Sequence, residues 1–134
     1  MYEISVEKHF DAAHYLRGYQ GKCEALHGHR FKVVARVQAH ELNDIGLAYD
    51  FTDLKRHLDN ILSRYDHTCV NDVPPFDRIN ASSENLAATI YGELQRRLEG
   101  TGVSLAAVEV WESPVTAVTY RPDQLAPPES KRVK

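Results

Sequence analysis

The first apolar pattern in the chain has a period of two. Tyr2, Ile4 and Val6 alternate with Glu3, Ser5 and Glu7, so the segment reads as a strand with one buried face. The strand runs on through Phe10 to His14, and a bulge near Asp11 would reset its parity. Residues 17–21 hold two glycines and read as a loop. The period of two resumes at His27. Phe31, Val33, Ala35 and Val37 share parity with His27 and His29, while Lys32, Arg36, Gln38 and His40 fall on the other face, with Val34 the exception. Asn43–Gly46 is a turn.

The period then changes. Asp50 can cap a helix, and Phe51, Leu54, Leu58, Ile61, Leu62 and Tyr65 follow helical spacing to an end near Arg64. Val73-Pro74-Pro75 opens a loop. Residues 80–85 supply Asn and Ser caps for a second helix with Leu86, Ile90, Leu94 and Leu98 on its apolar stripe, closed by Gly100 or Gly102. Leu105–Glu112 returns to alternation, with Val108, Val110 and Glu112 on one face and Glu109 and Trp111 on the other. Ser113-Pro114 connects tightly to a last strand, Val115–Tyr120. The order ββααββ predicts one α+β domain over residues 1–121: a four-stranded antiparallel sheet with both helices on one face. A tail, 122–134, has no apolar pattern and is expected to be poorly ordered. Such a small sheet has two open edges, and pairing them with other subunits would close the sheet into a barrel.

Composition narrows the function. A chain of 134 residues with 43% hydrophobic and 26% charged residues can bury one modest core. A net charge of −3 argues against a nucleic-acid partner. No apolar run approaches the length of a membrane span, and the charged start is no signal peptide, so the expected location is the cytoplasm. In that reducing compartment the two cysteines, Cys23 and Cys69, are not expected to pair. Cys69, between Thr68 and Val70, reads as packing, and Cys23 reads as chemistry.

That chemistry lies in K-C-E-A-L-H-G-H-R, residues 22–30. His27 and His29 project from the same face of an extended chain, with Gly28 keeping the backbone between them small. Two imidazoles do not complete a catalytic zinc site, which usually takes three protein ligands and keeps one position open. His14, in F-D-A-A-H, is the best third candidate. The plain alternative is a pair of surface imidazoles near a buried thiol. His40 and His57 read as solvent-facing or structural. Asp66-His67, just after the first helix, is weak as a signal by itself.

Six segments together carry more: F-D-A-A-H, C-E-A-L-H-G-H, Y-D-F, Y-D-H-T-C-V-N-D, N-A-S-S-E-N and W-E-S-P. In this order, over residues 3–121, they resemble the 6-pyruvoyl-tetrahydropterin synthase family. The resemblance implies the tunnelling fold, with trimers closed into a β-barrel, two trimers stacked as a homohexamer and active sites at subunit interfaces. It implies Zn2+ held by His14, His27 and His29. It makes Cys23, Asp66 and His67 the catalytic group, and Glu112 the anchor of a pterin. Ser82, Ser83, Glu24 and Lys22 become substrate contacts, with Lys22 and Arg17 as cations for a triphosphate. Two departures stand out. Ala81-Ser82 replaces the family's usual Pro-Thr, which keeps the hydroxyl but loses a rigid proline. Glu24 follows Cys23 directly, where a related branch serving folate synthesis uses a Glu in place of the Cys.

The implied substrate is 7,8-dihydroneopterin triphosphate, and the implied product is 6-carboxy-5,6,7,8-tetrahydropterin, with acetaldehyde and triphosphate released, on the queuosine (7-deazaguanine) pathway. Zinc would polarise the side-chain oxygens. Cys23 would act as base, its pKa of about 8.5 when free lowered by the metal and Lys22. Asp66 would orient His67 for proton transfer on the opposite side. Glu112 would accept hydrogen bonds from the amino-pyrimidinone edge. The alternatives are cleavage to 6-hydroxymethyl-7,8-dihydropterin driven by Glu24, a 6-pyruvoyl-tetrahydropterin synthase activity, and a non-catalytic module with a structural zinc. In that last case Cys23 would have to be the fourth ligand.

Overall fold

The computed structural model describes residues 1–123, with the side chain of Cys23 excepted. The tail expected to be poorly ordered falls almost entirely on residues 124–134, outside the described residues. Strand β1 (Tyr2–His14) and strand β2 (His27–Ala39) form the long antiparallel pair at the centre. A single 3-10 turn, Lys22–Glu24, lies between them. Helix α1 (Phe51–Leu62) follows, then the short strand β3 (Thr68–Cys69), helix α2 (Ser83–Leu98), β4 (Ser104–Ser113) and β5 (Thr116–Tyr120). The sheet has five strands in the order β3-β1-β2-β4-β5.

Two expectations are corrected. The sheet has five strands rather than four, and it is not wholly antiparallel, because β3 runs parallel to β1 through Ala12↔Thr68 and Ala13↔Cys69. A two-residue strand is too short to show an alternation, so no period marked it. Helix α1 stops at Leu62, slightly before the expected end near Arg64.

Parity in β1 is unbroken. Val6, Phe10, Ala12 and His14 are all buried, so the possible bulge near Asp11 does not occur. Both helices cover that inner face. Leu54, Leu58 and Ile61 of α1 and Leu86, Ile90 and Leu94 of α2 pack with Phe10, Phe31, Val33 and Val110 in one core. The Phe10 and Phe31 rings stack with centroids 4.9 Å apart. Each such fully buried side chain contributes about 1.5–3 kcal/mol, against about 0–1 kcal/mol for an exposed ion pair such as Arg56–Asp53. The apolar layer therefore fixes the helices to the sheet.

The helix starts are set by side-chain caps. Asp50 Oδ1 accepts from Thr52 N at 2.8 Å, and Ser82 Oγ accepts from Asn85 N at 3.1 Å. Ser82 is thus the cap among the Asn and Ser residues of the 80–85 segment. The start of α2 then falls beside the end of β1, where His14 lies.

Candidate metal centre

Register alone brings three imidazoles together. His14 is paired with His27 across β1 and β2, and Ala12 is paired with His29. All three rings project from the inner face, so they cluster where the two strands end. Their centroids are 4.5 Å apart for His14–His27, 4.8 Å for His27–His29 and 5.3 Å for His14–His29. Phe31 closes the apolar side, its ring edge-on to both His14 and His29. Strand β4, the other neighbour of β2, adds Glu112. One ligand atom from each of His14, His27, His29 and Glu112 lies within 4.8 Å of all the others, a grouping able to hold a metal ion.

Hydrogen bonds set the ring orientations. His14 Nδ1 lies 2.6 Å from the Ala81 carbonyl oxygen, and His27 Nδ1 lies 2.7 Å from that of Ala25. A carbonyl only accepts, so both rings carry their hydrogen on Nδ1 and turn an Nε2 lone pair into the cluster. Backbone carbonyls behind histidine ligands commonly fix the tautomer in this way. His14 Nε2 and His29 Nε2 are buried without a hydrogen-bond partner. Buried polar atoms are rarely left so, and an ion is one reason for an exception. Burial is the main force holding the His29 pKa below the ordinary imidazole value, against the pull of Glu112. A neutral ring is the form that binds metal. These residues therefore fit the zinc that the sequence resemblance implies.

Glu112 is tethered from behind. Ser83 Oγ donates to Glu112 Oε2 at 3.0 Å, and Ser83 is itself buried. Ser82, expected to touch substrate, directs its oxygen to the cap of α2. The replacement of Pro by Ala81 leaves intact the backbone carbonyl that His14 uses.

Lys22 shares a cavity of about 380 Å³ with His27, His29, Glu112, Ser113 and Thr116. Glu24 is exposed on the same 3-10 turn. Cys23 sits on that turn by its backbone, and its side chain lies outside the described residues. Arg17, expected to meet a triphosphate, clasps the loop after α1 with one end of its guanidinium. Its Nη1 donates to the carbonyls of Phe76 at 3.0 Å and Ile79 at 3.3 Å.

Asp66 and His67 form a second, separate group with Asp11. Asp66 Oδ1 accepts from the Asp11 backbone N–H at 2.9 Å, which is the leading reason its carboxyl lies below the ordinary carboxylate range. The other oxygen of Asp66 is 3.0 Å from His67 Nδ1. His67 has φ 59°, and its N–H donates to Asp11 O at 2.6 Å. A non-glycine residue in this left-handed region persists only where its surroundings determine it. The His67 side chain is 78% exposed. A single chain thus presents an oriented Asp-His pair to solvent and does not bring it into the histidine cluster.

Asn71 also supports the site region; it lies in the Y-D-H-T-C-V-N-D segment, but the sequence assigned it no role. Its side chain accepts from Tyr15 N and donates to Tyr15 O, both at 3.0 Å, which holds the chain just beyond His14. Cys69 is half-buried with its sulfur 4.0 Å from Asn71 Oδ1, in keeping with packing. Among the described residues no helix is long and apolar enough to cross a membrane.

The sequence profile of the family described as 6-pyruvoyl tetrahydropterin synthase matches residues 3–123. The chain is 36% identical over 133 residues to the 6-carboxy-5,6,7,8-tetrahydropterin synthase of Synechocystis sp., covering 95% of this chain and 98% of that one. It is 34% identical over 128 residues to the Bacillus subtilis protein of the same name, with 90% and 86% covered. The solved structure of Caenorhabditis elegans 6-pyruvoyl tetrahydropterin synthase superposes with a TM-score of 0.78 at 26% identity, covering 92% of this chain and 98% of that one.

Proposed function

This chain belongs to the 6-pyruvoyl tetrahydropterin synthase family, and from that premise we propose that it is a zinc-dependent lyase acting on 7,8-dihydroneopterin triphosphate. The products are 6-carboxy-5,6,7,8-tetrahydropterin, acetaldehyde and triphosphate, with one water consumed. This is the activity named for the relatives from Synechocystis sp. and Bacillus subtilis. The observation that carries the metal reading is the pair of orphaned Nε2 atoms, on His14 and His29, in a group whose ligand atoms, one from His27 included, all lie within 4.8 Å of one another. Zinc held by these three rings would supply Lewis acidity to the side-chain oxygens of the substrate.

The protein groups then divide the remaining work. Glu112 accepts hydrogen bonds from the amino-pyrimidinone edge and fixes the ring. Cys23 takes the proton from the hydroxyl-bearing carbon. Lys22, in the cavity beside His27 and His29, meets the phosphate chain. Asp66 holds His67 in orientation for proton transfer from the opposite side. That pair belongs to a separate group in one chain, which supports a site completed by a neighbouring subunit. The homohexamer of two barrel-forming trimers, acting in the cytoplasm, is the corresponding assembly.

Glu24 supports a second reading, cleavage to 6-hydroxymethyl-7,8-dihydropterin. In a strand, adjacent residues point to opposite faces, but Lys22–Glu24 is a 3-10 turn. Neighbours there are only about 120° apart. The Glu24 carboxylate can therefore serve the pocket mouth that Cys23 serves.

Metal removal tests the main reading. Protein stripped with a chelator is expected to lose conversion of 7,8-dihydroneopterin triphosphate and to regain it with about one zinc per chain. Full turnover by protein shown to be metal-free would overturn the proposal.

A further inference from the structure

We infer that Glu112 closes the metal centre as a fourth, exchangeable ligand when no pterin is bound. The inference rests on the metal-dependent reading above and adds a second role for the residue that anchors the pterin. Glu112 Oε1 lies 3.3 Å from His14 Nε2 and 3.1 Å from His29 Nε2. Neither nitrogen has a hydrogen-bond partner. The hydrogen of His14 is already spent on the Ala81 carbonyl, so its Nε2 faces the carboxylate lone pair to lone pair. Two acceptors at that separation repel each other unless a cation lies between them.

The spacing agrees with such a cation. Ligand atoms about 2.0–2.1 Å from a tetrahedral ion are about 3.3 Å from one another. The carboxylate is also aimed. Ser83 Oγ–H holds Oε2 at 3.0 Å and leaves Oε1 directed at the rings. A surface carboxylate forming a casual ion pair would not need a buried hydroxyl behind it.

The consequence is a coupling between recognition and activation. With Glu112 as a ligand, the ion would have four protein ligands, part of its charge would be neutralised, and no tetrahedral position would stay open for substrate. The amino-pyrimidinone edge of a pterin offers N–H donors that compete for the same carboxylate oxygens. When Glu112 turns to those donors, it leaves the ion. The vacated position becomes available to the side-chain oxygens of the same molecule. A ligand lacking the pterin edge would leave the centre closed.

The test uses the full chain loaded with Co(II), whose visible ligand-field bands report the ligands. Wild type, Glu112→Gln and Ser83→Ala are compared by spectrum and by metal affinity in competition with a chelator. Glu112→Gln is expected to shift the bands and to weaken affinity by roughly ten- to a hundredfold, the scale seen even for lost outer-shell partners. Ser83→Ala keeps the carboxylate and loses its tether, so its shift has the same sign and smaller size. Adding 6-methylpterin, which has no side-chain oxygens, is expected to shift the wild-type bands and leave those of Glu112→Gln unchanged. Identical bands and affinity in wild type and both variants would overturn the inference while leaving the three-histidine centre standing. A wild-type chain that takes up neither cobalt nor zinc would remove the metal-dependent reading itself, and this inference with it.

Discussion

Replacing His29 with Ala is expected to remove metal and activity together. His29 has the cleanest case among the three imidazoles. It is half-buried, its Nε2 is without a hydrogen-bond partner, and the pairing of Ala12 with its backbone fixes its place on the sheet. The polar group nearest its Nε2 is the Glu112 carboxylate, at 3.1 Å, and no backbone carbonyl depends on the ring. His14, by contrast, is 1% exposed and bonded to the Ala81 carbonyl, so truncating it also leaves a cavity and an unpaired carbonyl. Losing one of three ligands weakens zinc binding by at least the roughly ten- to hundredfold typical of second-shell losses. Turnover should fall in proportion to occupancy. Metal content per chain, measured beside circular dichroism to establish folding, checks this. A folded His29→Ala protein with full zinc would take His29 out of the ligand set.

The second large effect belongs to Cys23. The Cys23→Ala protein is expected to keep its zinc and its fold and to lose roughly 10² to 10⁴ in turnover, the usual scale for a missing general base. Backbone placement supports the assignment. Cys23 is on the 3-10 turn that directly precedes β2, next to Lys22, whose side chain lines the cavity beside His27 and His29. On the proposed reading, the Lys22 cation and a bound metal would stabilise a thiolate over a thiol there. Zinc analysis of the variant separates the two roles open to a thiol here. Loss of metal along with turnover would make Cys23 a ligand and not the base.

How much of this was legible in the sequence depended on the length of each pattern. The central pair was legible from the alternation that opens β1 and runs along β2, and His27 and His29 inherited the parity of β2; the parity of His14 was open to a bulge near Asp11 until the unbroken pairing of β1 with β2 fixed it. Their meeting followed once β1 and β2 were taken as neighbours. Strand β3 was hidden because two residues carry no period. The register shift between Arg36 and Val37, where β2 meets β4, was hidden because the extra residue, Ala106, lies in the all-apolar run Leu105–Val108 of β4, where no alternation is visible to break. The supports of the centre were hidden for a different reason. Ala81 and Ala25 act through carbonyl oxygens, and every residue has one. Ser83 reads as part of a helix start and, by resemblance, as a substrate contact, until the fold places its hydroxyl on Glu112. Asp66 and His67 were identified through resemblance rather than spacing, and the sheet-edge hydrogen bonds from Asp11 that orient them are again backbone groups. Side-chain chemistry was readable, and backbone chemistry awaited the fold.

The identity of the product tests the central claim most directly. Zinc-loaded wild-type protein is incubated with 7,8-dihydroneopterin triphosphate, the pterins are separated by chromatography and weighed by mass spectrometry, and acetaldehyde is assayed in the same mixture. The account predicts 6-carboxy-5,6,7,8-tetrahydropterin with matching acetaldehyde as the main products, and a minor 6-hydroxymethyl-7,8-dihydropterin that persists in Cys23→Ala and vanishes when Glu24 is also replaced. Unchanged substrate, or 6-pyruvoyl-tetrahydropterin as the main product with no acetaldehyde, would contradict it.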